Sequence, residues 1–122
     1  MAVSYKAPVK EVIFAFDVLD SYNILQKIER FSDFSPEIAV PAIEECAKFA
    51  EEVLAPINSV GDTHGATFKD GKVIMPPGFH EAYDKFKKAG WASMSLPYEI
   101  GGGGMPYTCL LYTSDAADEG FC

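Results

Sequence analysis

Cysteine is scarce in this 122-residue sequence, and its three copies, Cys46, Cys109 and Cys122, form no CxxC pair. An odd set without paired spacing argues against a disulfide framework or a zinc ribbon. Histidine is scarcer still: His64 and His80 lie in different segments with no matching ligand cluster, so no metal site is expected. Positive charge is also short. Ten Lys and Arg face 18 Asp and Glu, a net charge of −8. Nucleic acid is a poor partner for such a chain, because phosphates need a basic face. An anionic cofactor is a separate matter, since one local basic patch can oppose the net charge. Long apolar runs are missing as well. The densest, Val12–Phe16, is five residues between Glu11 and Asp17, far below the roughly 18 of a membrane span. Met1–Lys10 has no charged leader followed by an apolar core, so a cytoplasmic location is expected.

A hydrophobic content of 48% is enough for a small core, and the length allows one domain at most. In Tyr5–Leu19, Pro8 suits the first helical position, where its missing N–H costs nothing. Val9, Val12, Ile13 and Phe16 follow at helical spacing, with strand as the alternative for Val12–Phe16. Tyr22–Phe31 reads as a second short helix with Ile24, Leu25 and Ile28 on one side. Ser35, Pro36 and Glu37 make a helix start. Pro41 then requires either a restart or a kink. From Ile43 the apolar stripe is Ile43, Cys46, Ala47, Ala50, Val53, Leu54 and Ile57, which makes Cys46 a structural buried thiol. Glu44, Glu45, Lys48, Glu51 and Glu52 take the wet side, with Glu44 and Lys48 spaced for an ion pair. Asp70-Gly71 between short extended runs predicts a hairpin near residues 66–75. Phe79–Ala89 resumes helical spacing, and Gly90 supplies its stop. The fold class expected is mainly all-α, a small helical domain with one short β-hairpin.

The run Gly101–Gly104 is the obvious candidate for phosphate binding. Its spacing fails: Pro106 stands where a third glycine is needed, and no Gly-Lys-Ser/Thr follows. A tight turn or connector is the better reading. Lys85, Lys87 and Lys88 could meet cofactor phosphates, but they also suit the negative end of a helix dipole, the stronger reading. The glutamates of the long helix belong to an ordinary amphipathic face rather than a paired-carboxylate site. Ser93 and Ser95 have no nearby base and no GxSxG around them. Trp91, Tyr83 and Phe86 read as core. No residue is assigned as catalytic, cofactor-binding or metal-ligating.

The order of segments resembles the N-terminal region of acyl-CoA dehydrogenases, within the long subgroup that includes 3-methylmercaptopropionyl-CoA dehydrogenases. The matching pieces are Tyr5-Lys6-Ala7-Pro8 with Phe14 and Phe16, then Ala47–Pro56, then Gly61-Asp62 and Asp70-Gly71-Lys72-Val73. Pro76-Pro77-Gly78-Phe79, Ala82-Tyr83, Ala89-Gly90-Trp91 and Gly101–Pro106 complete the series, and the resemblance covers nearly all of residues 4–107. It implies an FAD enzyme that oxidises the Cα–Cβ bond of an acyl-CoA thioester, a glutamate taking the α-proton and the flavin the β-hydride. The family has an N-terminal helical domain, a central β-domain and a C-terminal helical bundle. The last two supply the base and most flavin contacts, and no glutamate here matches the base. The resemblance therefore implies a fragment, inactive alone and not binding FAD by itself. Acyl-CoA and an electron-transfer acceptor would be partners of the full-length protein, a homo-oligomer when complete. The N-terminal domain of the family helps wall the acyl and flavin cavity, so the resemblance implies that Ser95–Gly104 approaches it, with no contact assigned. One departure concerns Tyr98: the family usually places Tyr or Phe directly before the glycine pair, whereas this chain reads Pro97-Tyr98-Glu99-Ile100-Gly101. No role carries over to Tyr98.

After Tyr107 the resemblance stops. Cys109–Glu119 is similar to the in-frame translation of a transposon-type sequencing-library adapter. The expected division is an N-terminal extension at 1–34, the family's helical domain, incomplete, at 35–107, and a non-native tail at 108–122. Discounting the tail removes the carboxylates of Asp115, Asp118 and Glu119, moves the net charge from −8 to −5, and leaves Cys46 as the native cysteine. The rival readings are a small helical interaction module docking through exposed aromatics, and the corresponding part of an acyl-CoA oxidase.

Overall fold

A computed structural model describes residues 5–109, so most of the expected tail, residues 110–122, lies outside the described residues. The architecture is mainly helical with one two-stranded hairpin. Helix α1 (Val9–Val18) resolves the helix-or-strand alternative, with Pro8 just outside it at the capping position. Asp20, in a left-handed conformation, turns the chain into the short helix α2 (Ser21–Gln26). The expected second helix is thus cut short, and Glu29–Phe31 forms a separate 3₁₀ turn. Ile24 and Ile28 are exposed, while Leu25 packs on the core.

Helix α3 (Pro36–Phe49) runs through Pro41 without restarting. Pro41 lies near the helix start on an exposed side, where water can satisfy the carbonyl its missing N–H leaves free. Ser35 stands at the cap with extended backbone. Its hydroxyl, with the Glu37 backbone N–H, holds the Glu37 carboxyl below its ordinary range. The rod continues through a π turn (Ala50–Leu54) into α4 (Ala55–His64). That turn is invisible to a periodicity reading, because Ala50, Val53 and Leu54 also fit the apolar spacing of an α-helix. Strands β1 (Thr67–Lys69) and β2 (Lys72–Ile74) pair antiparallel, Phe68 opposite Val73, around Asp70 and Gly71, both at positive φ. Helix α5 (Phe79–Lys88) begins after Gly78, and its Phe79 ring lies so close to Gly61 that a Cβ there would sit 2.6 Å from it. Gly90, at φ +78, ends it as expected.

Two aromatic groups organise the packing. Phe16, Tyr22 and Phe34 form a cluster with ring centroids 5.6, 5.7 and 6.5 Å apart. Ala39, Ile43, Met94 and Cys109 complete the buried core around Phe16 and Phe34. Residues from α1, α3 and the segment after α5 therefore share one interior. Phe49 contacts Phe86 at 6.2 Å and Trp91 at 6.3 Å, fastening α5 beside the end of α3. Two expectations of the core and two of the wet helix face change. Cys46 is half-buried rather than buried. Tyr83 is exposed, its ring covered by the Lys87 ammonium at 4.8 Å. Glu44 and Lys48 make no ion pair among the described residues. Glu51 instead leaves the wet face, bonding Lys6 Nζ at 2.7 Å and accepting the Ala7 N–H at 3.0 Å.

Candidate functional site

The glycine run sits at the end of a compact loop, Ser93–Met105, that follows α5. The loop starts from a 3₁₀ turn at Trp91–Ser93 and includes a second at Tyr98–Ile100. Its two halves fold against each other through the backbone. Gly101 N–H donates to Tyr98 O at 2.9 Å, Gly102 to Pro97 O at 2.9 Å and Gly103 to Ser93 O at 3.0 Å. Gly104 donates to Leu96 O at 2.9 Å, and Met105 to Met94 O at 2.9 Å. Five consecutive N–H groups are therefore spent inside the loop. A phosphate cradle needs those same groups turned outwards, so the described residues offer no dinucleotide phosphate site here. An FAD pyrophosphate does not fit this loop.

Close approach explains the glycines. A Cβ on Gly102 would overlap the Leu96 carbonyl, and one on Gly103 would lie 2.8 Å from Met94 O. Gly104, at φ +61, is covered by the Tyr98 ring. Sequence reasoning offered a tight turn or a connector, and the structure gives a tightly bonded turn. The pairing partners were illegible because they come from Ser93–Tyr98, which has no regular pattern.

Beside this loop lies a shallow cleft of about 290 Å³ lined by Arg30, Pro97, Tyr98, Glu99 and Gly104. Arg30 is the one arginine in the sequence. Its Nη2 donates to Ser95 O at 3.2 Å, and its guanidinium lies 5.4 Å from the centre of the Phe31 ring. No motif pointed to Arg30, and only the fold brings it to a loop 65 residues away. Tyr98 exposes 74% of its surface at the cleft rim.

The remaining sequence candidates do not converge on a site. Ser95 is buried, and its hydroxyl, like those of Tyr22 and the Trp91 indole N–H, has no hydrogen-bond partner among the described residues. Ser93 donates to Gly90 O at 3.2 Å. Lys87 is paired with Asp84 at 2.9 Å, which raises the lysine pKa and lowers that of the aspartate. His64 Nδ1 lies 3.0 Å from the Val60 carbonyl of its own helix. Among the described residues, no three His, Cys, Asp or Glu side chains gather as a metal would require, and no helix is long and apolar enough to cross a membrane.

No family model matches the chain. It is, however, 38% identical over 104 residues to 3-methylmercaptopropionyl-CoA dehydrogenase of Ruegeria pomeroyi, a match covering 85% of this chain but 18% of that protein. The chain is therefore homologous to a part of that dehydrogenase, and so is related to the acyl-CoA dehydrogenases.

Proposed function

We propose that this chain is the incomplete N-terminal helical domain of an FAD-dependent acyl-CoA dehydrogenase. In that protein it would wall the cavity where an acyl-CoA thioester loses hydrogen across Cα–Cβ. The homology over 104 residues carries this reading. The geometry supports a wall in preference to a reaction centre. The glycine loop keeps its N–H groups to itself, and the acidic side chains with lowered pKa, Glu37, Glu51 and Asp84, owe it to surface hydrogen bonds and ion pairs. FAD, when bound, accepts the hydride, and the base and most flavin contacts are supplied by parts of the full-length protein beyond this chain. The partners in that protein are an acyl-CoA and an electron-transfer acceptor, and its expected state is a homo-oligomer.

A long read through the locus tests the proposal directly. The expected result is an open frame that continues past Tyr107 into a β-domain and a glutamate-bearing helical bundle. A stop codon directly after Tyr107 sinks it. A second check uses the chain itself: equilibrium dialysis of residues 1–122 against FAD should retain no flavin. Tight retention, or oxidation of an acyl-CoA, would show that the chemistry resides in this segment.

A further inference from the structure

We infer that Arg30 is a positioning residue that holds the glycine loop in its closed form. Of the six carbonyls from Ser93 to Tyr98, five accept backbone N–H groups from within the loop: Ser93 from Leu96 and Gly103, Met94 from Met105, Leu96 from Gly104, Pro97 from Ile100 and Gly102, and Tyr98 from Gly101. Ser95 O is the exception, and it takes the Arg30 guanidinium at 3.2 Å. Ser95 is 6% exposed, and a carbonyl in such surroundings must be satisfied. It also sits between Met94 and Leu96, whose carbonyls receive Met105 and Gly104, so the Arg30 bond secures the middle of the ladder. A planar guanidinium can lie over the Phe31 ring while one N–H reaches the carbonyl, a combination that an ammonium does not reproduce. Arg30 thereby ties the segment after α2 to the loop and forms one wall of its cleft. The functional weight of this role rests on the reading that the loop faces the acyl and flavin cavity.

Backbone amide hydrogen exchange on the full 122-residue chain tests the inference, with wild type, Arg30→Met and Arg30→Lys compared. Removing a charge-assisted hydrogen bond should speed exchange at Gly103, Gly104 and Met105 by about tenfold relative to α3 amides such as Ala47. Arg30→Lys, which keeps the charge and a donor, should fall between. Loop amides exchanging at the wild-type rate in both variants overturn the inference. So does acceleration in Arg30→Lys that spreads equally to α3, because the arginine would then serve the whole fold. The measurement needs neither acyl-CoA nor FAD. Selective loop opening would stand even if the reading frame stopped after Tyr107, so the two ideas fail separately.

Discussion

Residues 67–74 form regular β structure yet stand clear of the core, whereas residues 93–105 contain little regular structure yet bond to themselves almost throughout. Phe68 and Val73, paired across the hairpin, are 75% and 63% exposed. Their strands owe their form to a turn, Asp70-Gly71, that suits two positive φ angles. The loop has no such local instruction. Its shape comes from backbone groups meeting across the loop, from Gly101 on Tyr98 to Met105 on Met94, at positions where a side chain would obstruct them. Regularity in sequence and integration in the fold are thus separate properties. Here the segment that reads as a connector is the better anchored of the two.

Substitutions at glycine expose the contrast most sharply. Gly102→Ala drives a methyl group into the Leu96 carbonyl, and backbone cannot yield as a side-chain end does. A loss of about 3 kcal/mol in urea-induced unfolding is expected. A loss below about 1 kcal/mol would show that the loop relaxes and is not close-packed. Gly71→Ala meets no neighbouring atom within 4 Å, but keeps φ +75. Its cost is the left-handed backbone alone, about 1 kcal/mol. Equal effects for the two alanines would erase the distinction between the regions.

At the hairpin surface the effect shrinks further. Phe68→Ala should change stability by no more than about 0.5 kcal/mol in the same assay, because its ring buries little in this chain. A larger loss would mean that the hairpin face is covered in solution. The smallest effect concerns the Glu51 clasp on the N-terminal segment. The Lys6 hydrogen bond, then the Ala7 N–H, lower the Glu51 pKa, and the same hydrogen bond to Glu51 raises that of Lys6. For a depressed carboxylate, the contribution is present above its unfolded value, about 4.3, and is lost as pH falls through the lower folded value. For Lys6 it is present below about 10.4 and lost as pH rises through the raised value. The Ala7 amide resonance should therefore titrate below about pH 4.3, and Glu51→Gln should abolish that titration while leaving the glycine-loop resonances in place.

What was legible in the sequence follows physical locality. Helices α1, α3 and α5 declare themselves through apolar spacing, and Asp70-Gly71 and Gly90 mark turns that only a few neighbours decide. The π turn escaped because its residues, Ala50–Leu54, also satisfy a helical pattern. Glu51 looked like one more surface glutamate, since its partners lie 44 and 45 residues earlier. Tyr83 looked like core because an aromatic at helical spacing usually is, and the lysine one turn later covers it instead. Arg30 carried no motif at all. Its relevance depends on a fold that brings it to one unfilled carbonyl.

The π turn also sets a phase. Before it, α3 turns Ala39 and Ile43 into the core shared with α1; after it, α4 offers Gly61 to the ring of Phe79. One rod thus serves two neighbours on faces that a uniform helix would index differently. An α-helix advances about 100° per residue. Winding Ala50–Leu54 as a regular α-helix of the same length would add about one residue's rotation, roughly 100°, and swing Gly61 away from its partner. The irregular turn absorbs that extra residue and keeps the two halves of the rod in time with each other, so straightening it would cost the packing of one half or the other.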